Sequence, residues 1–315
     1  KQNALELVEA LAAMAVENNI PAVVFDHTLA RRFDVSGDLD HGVIVPLSFV
    51  ENHYQNYKLI EITYGLLPTD ELYRFGQMLT ACIEKQGLRA VIIASGDLSH
   101  KLKDSGPYRY DARGPEFDAW VIEAFRDNDL VKVVTADEAM CEGAGECGKK
   151  SLDIMIGALD GLEVRTRVLS YEGPFGVGYG VVALTEPQPS EQAKRFDEIV
   201  MKVQNKRENR RSREDSYVKL ARAAIESYVR QQKRIKLPEA LKQTALGGPS
   251  KGVFVSIKSS GGLRGCIGTT IGTQSSLGEE IIHNAIQAAT EDPRFPEIEP
   301  WELEQLTISV DVLSK

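Results

Sequence analysis

The chain has 315 residues, of which 43% are hydrophobic and 26% are charged, and its formal net charge is −9. This length and composition indicate a globular protein with room for two domains, while the negative charge argues against general nucleic-acid binding. The sequence contains no run of eighteen apolar residues that would form a membrane-spanning helix, and its four irregularly spaced cysteines indicate a reducing, cytoplasmic environment.

The first half of the sequence alternates between the hydrophobic spacing of helices and that of strands, which is typical of a layered α/β domain. Helices are predicted at residues 4–18, 70–86, 115–126 and 148–159. Strands are predicted at residues 22–25, 59–64, 90–94, 164–170 and 177–184. Residues 41–49 are predicted to begin as a turn and to continue as an apolar run.

The pattern changes after Thr185, where Pro187 and Pro189 interrupt it. Residues 205–215 carry five basic and three acidic side chains and no apolar one. They are predicted to form a solvated linker or an exposed helix, with a basic docking patch as the alternative. Beyond them the pattern predicts a helix starting near Tyr217, a strand at 252–258, a helix at 277–291 and a strand at 306–313. We therefore expect a first domain at residues 1–186, a linker at 187–213 and a smaller α+β domain at 214–315.

The sequence SGDLSH, residues 95–100, directly follows the predicted strand at 90–94. In open α/β sheets ligands collect at the carboxyl ends of strands, and a histidine placed there suits proton transfer near neutral pH. His100 is therefore a candidate acid–base residue. A histidine that only caps the nearby backbone is the alternative.

A second histidine, His41, follows Asp40 in the sequence LDHG, just before an apolar run. It is either a site residue oriented by a carboxylate or an incidental member of a turn. His27 and His53 have weaker contexts and are expected to be structural or exposed.

The sequence EGAGECG, residues 142–148, precedes an apolar helix. Because a helix N-terminus favours negative charge, Glu146 or Cys147 would suit a metal ligand or an acid–base group there. A glycine-rich turn with exposed acids is the alternative.

Five ordered blocks resemble the class III extradiol dioxygenase family of the LigB type: LDHGVIVPL, IIASGDLSHKL, GPYRYDARGPEFD, AGECG and SYEGPFGVGYG. In ring-cleaving members of that family two histidines and a glutamate bind ferrous iron, and a further histidine is the acid–base group. The resemblance implies that His100 is the acid–base residue, that His41 lies near substrate and oxygen, and that Glu146 is the carboxylate ligand. Cys147 is the alternative ligand, because the related Memo family has a cysteine at about this place. Such a substitution would argue against oxygen chemistry.

The resemblance implies a non-haem Fe(II) enzyme that opens the ring of a catechol-like small molecule with dioxygen. The family's two ligand histidines lie upstream of these blocks, so we expect the natural domain to begin before Lys1 and Fe(II) to bind only where those histidines are present. The alternatives are a Memo-like metal-binding or scaffold protein, and an accessory component that works with a radical SAM protein. A homo-oligomer is also expected.

The sequences LRGCIG, residues 263–268, and AATEDPRF, residues 288–295, resemble the AMMECR family. The two resemblances together imply a layered LigB-like α/β domain followed by a smaller α+β AMMECR-type domain, whose natural form is expected to continue after Ser314. Arg264 beside Cys266 indicates an activated thiol. A small buried cysteine in a tight turn is the alternative.

Overall fold

The structure is a computed structural model and describes residues 2–32, 38–65, 67–106, 108–259 and 261–313. Helices make up 47% and strands 15% of it, which confirms the predicted α/β class. The chain divides into two compact units, Lys1–Val203 and Gln204–Lys315.

Helices supply most of the first unit, and its described strands form one antiparallel hairpin. The hairpin pairs β1 (Leu162–Glu172) with β2 (Tyr179–Pro189), and its register contains two irregularities. The helices that precede the hairpin are α1 (Leu5–Glu17), α2 (His27–Arg32), α3 (His41–Glu51), α4 (Thr69–Lys85), α5 (Arg113–Arg126), α6 (Leu130–Val134), α7 (Glu138–Ala144) and α8 (Lys149–Gly157).

A small apolar cluster joins α1 to α4. Leu7 and Leu11 of α1 pack with Met78 and Cys82 of α4, because residues four apart lie on the same face of a helix. This cluster holds α1 against α4.

A larger apolar cluster surrounds α5, whose Phe117, Val121 and Phe125 recur on one buried face. Beside it, α4 and α8 approach each other backbone to backbone, since a Cβ on Gly157 would lie 2.1 Å from the carbonyl oxygen of Tyr73. A glycine at this crossing is therefore required, and the crossing fixes the position of α8 directly after the AGECG sequence.

The predictions of strands at residues 22–25, 59–64 and 90–94 are wrong for the described structure. These segments join no strand ladder, and their one backbone bridge links Asn3 to Leu59. A strand depends on hydrogen bonds to a neighbouring strand, and the described residues provide no such neighbour. Val91 is 90% exposed, so the apolar pattern that predicted a buried strand lies partly on the surface.

The helix α3 replaces the turn and apolar run predicted at residues 41–49. Asp40 starts the helix, because its Oδ1 accepts a hydrogen bond from the N–H of Val43 at 3.1 Å. The helix continues through Pro46, which cannot donate to the carbonyl four residues earlier. That carbonyl, of Gly42, accepts a hydrogen bond from Ser95 Oγ at 2.6 Å instead.

The segment predicted as a linker, residues 187–213, consists largely of regular structure. β2 extends to Pro189, a 3₁₀ helix spans Glu191–Ala193, and α9 spans Phe196–Ser212. The charged stretch at 205–215 is therefore mostly helical, which is one of the two forms predicted for it. The division between the two compact units falls inside α9.

The second unit packs two helices against a three-stranded antiparallel sheet with the strand order β4-β3-β5. Residues in β3 alternate strictly between buried and half-buried, which is the pattern of a sheet with one face on the core. The sequence LRGCIG forms a strand, not the tight turn considered above. The elements of this unit are α10 (Ser216–Gln231), β3 (Val253–Ser259), β4 (Gly262–Thr269), α11 (Leu277–Thr290) and β5 (Leu306–Val312). None of the helices described in either unit has the length and apolarity needed to cross a membrane.

Candidate functional site

The backbone that follows residues 90–94 lies directly against the AGECG segment. A Cβ on Gly96 would lie 2.4 Å from the Cα of Gly148 and 2.7 Å from the carbonyl oxygen of Cys147. The Cys147 N–H donates a hydrogen bond to the Asp97 carbonyl at 3.3 Å. Glycine at position 96 is therefore needed for the SGDLSH and AGECG blocks to meet.

His100 lies at the centre of a polar cluster that also contains Asp97 and Cys147, called the His100 cluster below. The Nε2 atom of His100 is 3.3 Å from Asp97 Oδ2 and 3.8 Å from Cys147 Sγ. All three ligand-type atoms lie within 4.8 Å of one another. The ring of Tyr108 stacks on the imidazole at a centroid distance of 5.4 Å. Because the side chain of His100 is 19% exposed and that of Asp97 is 42% exposed, the cluster is partly sheltered but reachable from solvent.

The thiol of Cys147 is held against the SGDLSH backbone. The N–H of Asp97 donates a hydrogen bond to Cys147 Sγ at 3.2 Å. Burial raises the pKa of the Cys147 thiol, and this effect outweighs the opposite effect of the Asp97 N–H.

Glu146, the carboxylate that the resemblance implies as a metal ligand, lies outside the His100 cluster. Its Oε2 accepts a hydrogen bond from the N–H of Lys149 at 2.6 Å, in the first turn of α8. Burial raises the pKa of Glu146, and the Lys149 N–H and charge work against that rise. The fold thus uses Glu146 at a helix start and brings Cys147 to His100.

His41 begins α3 next to the same loop, since the first turn of α3 accepts the hydrogen bond from Ser95. Its side chain is exposed and does not belong to the His100 cluster. Asp40, considered as a partner that orients His41, caps α3 instead. His27 and His53 are both exposed.

A buried carboxylate supports the SGDLSH loop and was not singled out from the sequence. Asp118 of α5 is 1% exposed. Its Oδ1 accepts a hydrogen bond from the Ser99 N–H at 2.7 Å, and its Oδ2 accepts one from the Tyr171 hydroxyl at 2.7 Å. Burial raises the pKa of Asp118, and both hydrogen bonds oppose the rise. The signal in the sequence was an acidic residue between Phe117 and Val121 on the apolar face of α5.

In the second unit, Cys266 of β4 is held through its backbone by the EDPRF sequence. Its N–H donates to Asp292 Oδ2 at 2.8 Å, and its carbonyl accepts from Arg294 Nη2 at 3.1 Å. Arg294 also donates to both carboxylate oxygens of Asp292. The Sγ atom of Cys266 lies 3.2 Å from Ser256 Oγ on β3. The two motifs identified in this half of the chain therefore meet at Cys266.

Arg264 has other partners than the thiol. Its Nε and Nη2 donate to the carboxylate of Glu302 at 2.7 and 2.9 Å. Its Nη1 donates to the Pro296 carbonyl at 2.7 Å, and Nη2 also donates to the Glu297 carbonyl at 3.0 Å. The charge of Arg264 is thus paired with Glu302, and Arg294 is the arginine that contacts Cys266.

Two family models match the sequence. The model of the catalytic LigB subunit of aromatic ring-opening dioxygenase matches residues 2–182. The AMMECR1 model matches residues 218–315. The first match covers the whole His100 cluster, and the second covers Arg264 and Cys266.

The proteins that are similar to this chain are longer than the segments that match it. A protein of Clostridium acetobutylicum is 39% identical over 311 residues, which is 98% of this chain and 66% of that protein. A protein of Thermotoga maritima is 47% identical over 102 residues, 32% of this chain and 58% of that protein. The crystal structure of a protein from Pyrococcus horikoshii is 37% identical, covers 31% of this chain and 49% of its own, and has a TM-score of 0.28. The chain thus spans less than two thirds of the length of these curated relatives.

Proposed function

We infer the function from the premise that the chain belongs to the family of the catalytic LigB subunit of aromatic ring-opening dioxygenase and carries an AMMECR1 domain after it. We propose that it acts as a Memo-like metal-binding protein that uses the LigB fold without opening aromatic rings. In this function the AMMECR1 domain has an accessory role. Fold alone does not decide between metal binding and ring opening, which differ in the chemistry of the site.

One observation carries the proposal: Cys147, the alternative to Glu146 as a ligand, contacts His100, whereas Glu146 lies outside the His100 cluster. Non-haem Fe(II) oxygenases bind iron through two histidines and one carboxylate on one face. The His100 cluster contains one histidine, and Glu146 is engaged at the start of α8. A cysteine ligand in place of that carboxylate argues against oxygen chemistry.

A second candidate is the extradiol-type dioxygenase acting on a catechol-like molecule, which the family description supports. His100 follows the SGDLSH turn, is half-buried, and has Asp97 on its Nε2. In that function His100 would accept a proton from a substrate hydroxyl, a role that commonly contributes about 10²–10⁴-fold to turnover. A radical SAM protein and a second copy of the chain stay predictions as partners in either function.

Oxygen uptake distinguishes the two functions. The full-length protein, with the two histidines expected upstream of Lys1, would be supplied with Fe(II), a reductant and a set of simple catechols in air-saturated buffer. Oxygen consumption and the absorbance of ring-opened product would be followed, with an active extradiol dioxygenase as the positive control. We expect no turnover above that of the His100→Gln variant. Ring opening by the wild-type chain that is lost in His100→Gln would overturn the Memo-like proposal and establish the dioxygenase.

A further inference from the structure

Lys149 and Lys150 place two positive charges in the first turn of α8, where the helix dipole disfavours them. Lys149 is compensated, because its Nζ lies 2.6 and 2.7 Å from the two carboxylate oxygens of Asp153. Lys150 has no such partner: among the residues that the structure describes, no carboxylate lies within ion-pair distance of its Nζ. The second lysine therefore lowers the stability of the helix start and needs another explanation.

The Lys150 side chain is half-buried, which adds to the cost of its charge. Burial lowers the pKa of Lys150, and the more distant carboxylates of Glu146 and Asp153 oppose this fall. Both carboxylates are engaged by Lys149, one through its N–H and the other through its Nζ. A charge that has lost part of its water is stabilised by an ion of opposite sign. An anionic ligand would supply the partner that Lys150 lacks.

Lys150 borders the site that contains Cys147 and His100. Helical side chains are tilted towards the N-terminus of their helix, and Lys150 Nζ lies 5.9 Å from the centre of the Tyr64 ring. The Tyr64 hydroxyl donates to the Cys147 carbonyl at 2.7 Å. The Cys147 Sγ is in turn 3.8 Å from His100 Nε2. The ammonium is thus connected to the His100 cluster through Tyr64 and Cys147.

The Tyr64 ring is a weak partner for the Lys150 charge. Attraction between a cation and an aromatic ring acts within about 6 Å of the ring centre. At 5.9 Å the ammonium is at the outer end of this range. The contact with Tyr64 places the ammonium but leaves it open to a stronger, oppositely charged partner.

We propose that Lys150 binds an anionic oxygen group, a carboxylate or a phosphate, of a small molecule that occupies the site beside Cys147 and His100. A lysine ammonium pairs with either group as a point charge, so the shared chemistry is that of an oxyanion. The inference rests on the proposed function, which places the working site at the His100 cluster, and it adds the chemical class of the ligand. Lys150 is a specificity residue in this proposal, because it favours anionic over neutral ligands.

Urea unfolding of the full chain tests the proposal, because a ligand that binds only the folded chain raises the unfolding midpoint. Wild type, Lys150→Met and Lys150→Arg would each be titrated with sodium phosphate and, separately, with sodium acetate, while sodium chloride keeps the ionic strength constant. We expect a saturable rise of the midpoint with at least one anion in wild type and in Lys150→Arg. Lys150→Met should show only the gradual rise that excluded salts give to any protein. Saturation with acetate alone would identify a carboxylate ligand, and saturation with phosphate alone a phosphate ligand.

The stability without added oxyanion gives a second comparison. Lys150→Met should then be at least as stable as wild type, since it removes an unpaired, half-buried charge from the positive end of α8. Lys202→Met is the matched control, because Lys202 already pairs with Glu198 on the exposed face of α9, and it should keep the saturable rise. A Lys150→Met chain less stable than wild type would show that the lysine serves packing on Tyr64 and would overturn the proposal. A saturable rise that survives in Lys150→Met, or that wild type lacks with both anions, would also overturn it.

These outcomes are distinct from those of the oxygen assay. Ring opening by the full-length protein would overturn the proposed function and leave the anion titration as it is. A wild-type chain without a saturable anion effect would overturn the role of Lys150 and leave metal binding untouched.

Discussion

The carboxylate of Asp118 and the backbone N–H of Ser99 form a 2.7 Å hydrogen bond, and both side chains are almost fully buried. Ser99 stands between Asp97 and His100, and its hydroxyl donates to the Ala144 carbonyl at the end of α7. The loop that carries two of the three cluster residues is therefore attached to α5 and to α7. The geometry of the His100 cluster depends on this attachment.

Replacing Asp118 with alanine should destabilise the first unit by about 1–3 kcal/mol, because the Ser99 N–H and the Tyr171 hydroxyl lose their shared buried acceptor. Urea unfolding measures this loss. Tyr171→Phe is the matched control, because it removes one partner and leaves the Ser99 bond, and its loss should be smaller. An Asp118→Ala chain as stable as the wild type would show that the loop does not depend on this carboxylate.

The sequence was sufficient to single out the SGDLSH and AGECG motifs, which lie against each other in the structure, because both follow local rules. A strand-like run followed by Gly96 and a helix start after AGECG both indicate loops that carry polar groups, and the fold brings these loops together. The contacts of Glu146 and Cys147 could not be predicted from spacing, since adjacent side chains point in different directions: Glu146 accepts from the Lys149 N–H at the start of α8, and Cys147 accepts from the Asp97 N–H.

Other differences between the predicted and the observed secondary structure arise from contacts between residues that are far apart in the sequence. Residues 90–94 have the composition of a buried strand, but their structure depends on neighbours that the described residues do not supply. The helix α3 contains Pro46, and its freed carbonyl is satisfied by Ser95, which is more than fifty residues away in the sequence. Composition alone could not predict either outcome.

Cys266 should react with an alkylating reagent in the native protein before Cys82 does. Cys266 is half-buried in β4, whereas Cys82 is 1% exposed between two helices. Peptide mapping after brief treatment with iodoacetamide would measure both rates. Arg264→Lys should leave the Cys266 rate little changed, because Arg264 is paired with Glu302. A Cys266 that stays unmodified until urea is added would identify LRGCIG as a packing strand.

Glu280 should stabilise the second unit at neutral pH and lose this effect in acid. Its carboxylate is fully buried and accepts hydrogen bonds from Thr269, Thr273, Gln274 and Ser250. Burial alone would raise its pKa, but the hydrogen bonds outweigh burial and lower the pKa to about 2. A folded-state pKa below the unfolded value of about 4.3 means that the stabilisation is complete above that value and is lost as pH falls towards 2.

The comparison of wild type with Glu280→Gln measures this effect. The difference in urea midpoint should be large at pH 7 and should shrink steadily below pH 4.5. Glu239→Gln is the control, since Glu239 has an exposed side chain that pairs with Lys242 on the surface, and its effect should be small at every pH. A difference that stays constant down to pH 3 would mean that the Glu280 carboxyl titrates normally.

Lys149 and Asp153 form a buried ion pair one turn apart in α8, with Lys149 Nζ at 2.6 and 2.7 Å from the two carboxylate oxygens. Removing one partner leaves the other charge buried alone, so Lys149→Met should cost about 3–5 kcal/mol at pH 7. The double replacement Lys149→Met with Asp153→Leu should cost far less, because the burial penalty of both charges disappears with the pair. Urea unfolding of the three chains would measure these differences.

The pH dependence of the same variants provides a second check on the ion pair. Burial raises the pKa of Asp153 to about 6, against the lowering effect of Lys149. A carboxyl with a raised folded-state pKa binds its proton more readily in the folded chain, so its burial is costly above that pKa and less costly below it. The loss caused by Lys149→Met should therefore be smaller at pH 5 than at pH 7. Lys202→Met is the control, since Lys202 pairs with Glu198 at the same spacing on the exposed face of α9 and should change stability by about 0–1 kcal/mol. A Lys149→Met chain no less stable than Lys202→Met would show that the buried pair contributes nothing beyond an exposed one.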